Sequence, residues 1–457
     1  MLLFGRQLQR TCQGLSRRAF LQIGASAVLG LSLADLLRLR AQGTPAEGRA
    51  RSVILLWLWG GPSQLDTWDP KPNAPLDYRG PFAPIATRVP GLRFGELFPQ
   101  TADLADQFAV LRSLTTASND HGVAGTIGLT GSAAGSVNLG GGVASGSVRP
   151  ATGAVVARAR QGTRHALPPF MVVGGRLHQG HRAIAGEGGG HLGAMYDPFR
   201  LEYDPARGTR IAALQLPDNL TPERLTDRER LVQAIDGAHA RAESLERTPA
   251  LDAYRAQAFA MLTSPEARRV FDLSQESVQT IDRYGRTRFG QSCLLARRLV
   301  EQRVPFVQVN WSDHVEAEED AGDGGWDNHY RHFVLMQDRQ GPWFDQAYTA
   351  LLLDLRQRGL LDSTLVIAVG EFGRTPRIND KAGRDHWEHC YSALVAGGGV
   401  RGGRVVGESD ARAERVRDRP LTPADLAATV HHAVGITSEM AQTLGVAVNG
   451  RLIEELF

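Results

Sequence analysis

Thr364–Val369 reads TLVIAV and runs directly into Gly370-Glu371-Phe372-Gly373-Arg374-Thr375-Pro376, with Gly383-Arg384-Asp385-His386-Trp387 a short loop further on. A β-branched, apolar run without alternation marks a strand covered on both faces, as in a parallel sheet. A glycine ends the run. Glu371 and Arg374 are therefore expected at the strand's carboxyl end, the edge at which open α/β sheets bind ligands. A second set, Trp326-Asp327-Asn328-His329, follows another strand-like run over 304–311 after a polar loop. Two strand ends thus offer Asp, Glu and His, the donor types of a hard or borderline metal ion.

The flanking sequence repeats this pattern. The run over 52–58 is continuous and apolar and ends at Gly60-Gly61, as expected of a central parallel strand feeding a functional loop. Phe108–Leu114 is a further short strand that leads into Asn119-Asp120-His121-Gly122 and a helix over 123–131 stopping at glycine. From 221 to 303, Leu231, Ile235, Leu245, Leu251, Met261, Phe271 and Leu295 recur at helical spacing among Arg and Glu, predicting a helical insertion or lid. An amphipathic helix over 343–358, a strand over 392–396 and a closing helix over 423–434 capped by Thr422 complete the pattern. Such alternation predicts an α/β fold, a doubly wound and mostly parallel sheet with one helical insertion.

At 457 residues the chain exceeds the usual single-core limit of about 250–300, so a large domain with insertions or two lobes is expected. The amino terminus stands apart. Ser16-Arg17-Arg18-Ala19-Phe20-Leu21 is a twin-arginine pattern ahead of a moderately apolar stretch over 20–37, broken by Gly24, Gly30 and Asp35. This reads as an export leader over 1–42 rather than a spanning helix, which places the mature domain over 43–457 in the periplasm or cell envelope. The expected partner for that step is the twin-arginine export machinery. Loss of the leader removes six Arg and one Asp and takes the net charge from +2 to −3, so no basic surface for nucleic acid is implied. Only Cys293 and Cys390 remain beyond the leader, and no CxxC metal motif is present.

Asp327 and His329 are two residues apart, so on an extended segment both side chains can share one metal. The alternative is an Asp that caps a turn beside a surface His. Glu371, just past a strand, is a ligand, a general base or a helix cap, and Arg374 either grips an oxyanion or forms a structural pair. Asp385 and His386 add a further carboxylate and imidazole. In the loop after the first central strand, Ser63 and Lys71 are candidate substrate contacts and Asp66 a candidate ligand, although Asp-Pro and Lys-Pro steps also build rigid turns. His332 and His389 read as bystanders. Nucleophile-elbow, Walker and dinucleotide motifs are absent from the sequence.

In order, the chain carries GGPSQLDTWDPKP (60–72), DHGVAGTIGLTG (120–131), YGRTRFGQSCLLARRLVE (284–301), GWDNH (325–329), GEFGRTP (370–376), GRDHW (383–387) and GGGVRGGRVVGESD (397–410). On these segments it resembles the family called domain of unknown function 1501, from about residue 52 to 436. That family in turn looks like a branch of the alkaline phosphatase and sulfatase superfamily, whose members hydrolyse phosphate or sulfate esters with one or two metals. The resemblance implies that His386 matches the final metal-binding histidine and that Asp327 and His329 match the ligands of a metal. Glu371-Phe372-Gly373 is similar to the superfamily's Asp-His-Gly, keeping the carboxylate without the histidine. Asp66 would stand in for a strand-end aspartate. His121, near the position of the usual nucleophile, is implied as a ligand, a base or, less commonly, a phosphoryl acceptor.

The expectation is an exported, metal-dependent hydrolase of small-molecule or glycan esters, with zinc, calcium or manganese as the divalent ion. The competing expectation is a non-catalytic envelope protein on the same fold that binds anionic glycans or other ligands.

Overall fold

The computed structural model describes residues 25–26, 31–32, 49–160, 167–205, 208–210, 269–315, 324–447 and 449–457. The chain divides into two units, Met1–Glu47 and Gly48–Phe457. In the first, the described residues form one antiparallel pairing of Ala25–Ser26 with Leu31–Ser32. The rest of the expected leader lies outside the described residues.

The second unit is built on a nine-stranded sheet. Its strands are β1 (Ser52–Trp57), β2 (Phe108–Leu114), β3 (Phe170–Val173), β4 (Phe199–Asp204), β5 (Gly208–Arg210), β6 (Phe306–Asn310), β7 (Thr364–Val369), β8 (Tyr391–Ala396) and β9 (Val405–Val406). They lie in the order β5-β4-β3-β6-β1-β7-β8-β2-β9. β5 and β8 run antiparallel to their neighbours and every other pairing is parallel. The expected doubly wound, mostly parallel sheet is the observed one.

Both faces of the sheet are covered, which is why SVILLW and TLVIAV do not alternate. β1 sends Ile54 and Leu56 to one face, where α4 (Arg288–Glu301) and α5 (Gly341–Gln357) bring Leu295, Leu299, Phe344 and Leu351. Val53, Leu55 and Trp57 point to the other face, against Val155 and Val156 of α2 (Thr152–Ala159) and Leu426 and Val430 of α6 (Pro423–Ala433). Each such side chain, fully buried, contributes about 1.5–3 kcal/mol. The helix α6 starts at Thr422, whose hydroxyl and the Asp425 carboxylate form a capping box.

Of the helical segment expected over 221–303, residues up to 268 lie outside the described ones. The remainder, α3 (Val278–Tyr284) and α4, does not stand apart as a lid: α4 is a crossover helix buried on the sheet directly before β6. Among the described residues no helix is long and apolar enough to cross a membrane.

Register decides where the loops emerge. Trp57 is level with Asn310 of β6 and Val369 of β7, so three central strands end together and release residues 58–61, 311–315 and 370–374 at one edge. β8 is antiparallel and starts at that same edge, so residues 370–390 form one excursion that leaves the sheet and returns to it. Within it, Gly373–Arg374 pairs with His386–Trp387 in a two-residue ladder.

Candidate metal centre

Gly60 lets the strand ends meet. Its φ is +105°, a conformation that side chains rarely adopt, and a Cβ there would lie 2.4 Å from the Trp326 nitrogen and 2.5 Å from that of Asp327. The GWDNH segment therefore closes onto the β1 turn, with Trp326 N–H donating to the Trp59 carbonyl at 2.8 Å. From the other side comes α1 (His121–Thr130), whose first turn is fixed by the Asp120 carboxylate accepting from Val123 N–H. The close approach of Trp59 at Gly125 brings the indole to within 5.3 Å of the His121 ring.

Three imidazoles converge on Asp327. Nε2 of His329 lies 3.0 Å and Nε2 of His386 lies 3.1 Å from its Oδ1, while Nε2 of His121 lies 3.3 Å from its Oδ2. Each ring is held from behind through Nδ1: His121 by Glu371 Oε1 at 2.6 Å, His329 by Asp385 Oδ1 at 2.7 Å, and His386 by the Asn119 carbonyl at 2.6 Å. Carbonyl and carboxylate oxygens only accept, so each Nδ1 carries a proton and each Nε2 faces the Asp327 carboxylate, donating to it when protonated and free to share a cation with it when not. This is the outer arrangement by which proteins orient metal-ligating histidines.

Nε2 of His329 and of His386 face each other at 2.9 Å, an arrangement that requires a proton or a cation between them. His121 Nε2 is buried and has no hydrogen-bond partner among the described residues. His121, Asp327 and His386 each offer one ligand atom within 4.8 Å of the other two, and His329 Nε2 stands beside them, 3.0 Å from Asp327 and 2.9 Å from His386. The residues present therefore fit a divalent metal.

Left to its own charges, the cluster holds a proton on His121, which a divalent ion would have to displace. Burial disfavours the His121 cation, yet the carboxylates of Asp327 and Glu371 outweigh it and raise the imidazole to about 9. Burial lowers His386 to about 4, opposed by its hydrogen bond to Asp327 and aided by the positive charges of His121 and Arg374. The hydrogen bond to Asp327 raises His329 despite its partial burial. Asp327 is buried, but Arg374 and His121 hold it well below the usual carboxylate range.

The remaining expected site residues fall into two groups. Glu371 is adjacent to the cluster but acts behind it: its carboxylate receives Gly60 N–H at 3.0 Å and orients His121, so it is an anchor rather than a direct ligand. Asp385 is likewise an anchor, half exposed behind His329. Arg374 is close to the centre but committed. Its guanidinium bonds Asp327, the carbonyls of Gly60 and Gly61 and that of Arg384, which leaves no fork for an oxyanion.

The loop of β1 sits elsewhere. Asp66 is fully buried with Arg384, whose Nε is 2.6 Å away, and with His332 Nε2 at 2.9 Å, so its carboxylate is spent on an internal ion pair and is not brought to the cluster. Those partners hold its acid form far below the ordinary range against the burial that opposes ionisation. Ser63 donates to Asp66 at 2.6 Å, and Lys71 pairs with Asp69 at 2.9 Å, so neither expected substrate contact faces the centre.

Sequence reading passed over the Asn119 carbonyl, the Gly60 N–H and the partners of Asp66. Main-chain groups carry no side-chain signature. Arg384 and His332 did have one, since a buried carboxylate in an Asp-rich loop needs a cationic partner.

The chain is similar to several solved structures. It matches the crystal structure of Ps i-CgsB at 12% identity over 89% of this chain and 75% of that one, with a TM-score of 0.39. The PsFucS1 sulfatase from Pseudoalteromonas sp. matches at 13% identity over 92% and 76%, with a TM-score of 0.37. The phosphonate monoester hydrolase of Agrobacterium radiobacter matches at 13% identity over 89% and 77%, with a TM-score of 0.31. No curated protein matches the chain in sequence. One family model covers residues 50–456, and the chain accordingly belongs to the family described as Protein of unknown function (DUF1501).

Proposed function

We propose that this chain is an exported, metal-dependent hydrolase of phosphate or sulfate esters. The observation that carries the reading is the convergence of three inward-facing Nε2 atoms on the Asp327 carboxylate, each ring braced by an acceptor behind it. A divalent ion in such a centre supplies Lewis-acid polarisation of an ester oxygen. His121, Asp327, His329 and His386 would hold it. This nitrogen-rich set suits zinc better than manganese or calcium, which favour oxygen ligands. Glu371, Asp385 and Asn119 fix the rings, Arg374 keeps Asp327 ionised, and Trp59 and Phe372 close the inner wall against water. Export rests on the twin-arginine pattern at 16–21, and the substrate is a small-molecule or glycan ester met in the periplasm or envelope.

The commitment of Ser63 and Arg374 to internal partners favours one rival, a non-catalytic metal-binding envelope protein on the same fold. Metal content of the natively exported protein is expected to be stoichiometric and to vanish in Asp327→Ala and His386→Ala, with hydrolysis of phosphate or sulfate esters following the metal. Metal-free wild-type protein, with both variants as stable as wild type, would overturn the reading. Stoichiometric metal with no turnover across the ester panel selects the rival.

A further inference from the structure

Beside the centre lies an open groove of about 570 Å³, within the ~300–1,000 Å³ range of small-molecule sites. It is joined to the centre through His329: Asp385 lines the groove and holds His329 Nδ1 at 2.7 Å through Oδ1, and Asn379 lines it and donates to the His329 carbonyl at 2.9 Å. The groove's apolar surface comes from Trp387, Pro376 and Ile378. The Trp387 indole is pinned in place, with Nε1 donating to the Glu414 carbonyl at 2.7 Å and the ring meeting His389 edge-on at 4.9 Å. A fixed aromatic ring costs little entropy when a ligand stacks on it.

The polar lining decides the ligand class. Carboxylates of Asp380 and Glu414 line the groove and have no hydrogen bond or ion pair among the described residues. Thr375 and Asn379 offer no free donor, since Thr375 Oγ1 donates to the Arg377 carbonyl and Asn379 Nδ2 donates to the His329 carbonyl and to Asp385. The one cation in the lining is the exposed guanidinium of Arg377, 3.6 Å from Asp77. A matching ligand brings several donors, one or two acceptors and a flat C–H face. A neutral polyol ring has that pattern; an alkylammonium ion would meet Arg377, and a polyanionic glycan would meet the carboxylates.

We propose that this groove binds a neutral sugar ring, with Trp387 as the stacking platform and Asp380 and Glu414 as hydroxyl acceptors. Its service as the recognition site for a glycan ester rests on the hydrolase reading above; the binding itself does not.

Saturation-transfer NMR on the full mature protein with methyl glycosides of neutral hexoses and of N-acetylhexosamines tests it. At least one glycoside is expected to receive transfer, with affinity falling about tenfold or more in Trp387→Ala and in Glu414→Gln, while metal content stays at the wild-type level. Glu414→Gln leaves the backbone carbonyl that holds the indole, so it guards against a folding defect in Trp387→Ala. Absence of transfer from every glycoside, or equal affinity in both variants, overturns the proposal. Because metal is measured on the same sample, a metal-free protein that still binds glycosides removes the hydrolase reading and leaves the groove assignment intact.

Discussion

Oδ1 of Asp327 lies 2.6 Å from Nη2 of Arg374, and the arginine is fully buried. The two charges are mutually dependent. Asp327→Ala strands a guanidinium away from water, and a buried pair broken on one side costs about 3–5 kcal/mol. Urea unfolding is expected to show a loss of that order, whereas Asp327→Asn, which keeps a carbonyl acceptor, loses less stability yet still loses the metal. Equal metal content in Asp327→Asn and wild type would show that the carboxylate is not a ligand.

Glu371→Gln probes bracing without removing a direct ligand. The amide oxygen can still receive Gly60 N–H, but the charge that fixes the Nδ1 proton of His121 is gone. Metal affinity is expected to drop roughly 10–100-fold, the usual cost of losing an outer partner of a ligating histidine. Competition with a chelator of known affinity measures it.

Asp66→Ala separates the two acidic loops. Its expected signature is a stability loss of about 3–5 kcal/mol, from the uncompensated Arg384, with metal stoichiometry unchanged in the folded fraction. Loss of one metal equivalent would instead return Asp66 to the ligand set.

Gly60→Ala places a methyl where the backbone nitrogens of Trp326 and Asp327 already sit, at a φ that alanine resists. The GWDNH segment must move outward. A fall in melting temperature together with weaker metal binding is expected, and unchanged values for both would contradict the described turn.

His431 gives a pH dependence remote from the centre. It is buried in α6 with Nε2 unpartnered among the described residues, and burial pushes its imidazole down to about 4, below the unfolded value of about 6.5. The fold accepts only the neutral ring. Stability from this position is therefore complete above about pH 6.5 and declines as pH falls toward about 4. The difference in melting temperature between wild type and His431→Gln should change across that window and be flat above it.

Much of the frame was legible because it rests on local pattern. The runs that became β1 and β7 were nearly continuous and apolar, those that became β2, β6 and β8 were β-rich although broken by Arg112, Gln308 or Ser392, and the Thr422 cap and the glycine after α1 announced their helices. β3 and β4 were missed, four and six residues beside glycine-rich loops, too short to stand out. At the centre, Asp327, His329 and His386 were recognisable as donors from their place after strands. Which carboxylate would serve as ligand and which as brace was not recognisable. That distinction depends on pairings such as His121 with Glu371, 250 residues apart, and Asp66 with Arg384, 318 apart, which only the folded sheet creates. Arg374 shows the same limit, since its saturation comes from carbonyls on two other loops.

The reversed direction of β8 has an evolutionary corollary. Glu371, Arg374, Arg384, Asp385, His386 and Trp387 all belong to a single departure from the sheet between two hydrogen-bonded neighbours, so they can be exchanged as one cassette without re-threading any helix. That excursion is nonetheless keyed to the loops facing it, since Arg374 pairs with Asp327, Glu371 with His121 and Arg384 with Asp66, so any exchange of it calls for matching changes at those three partners.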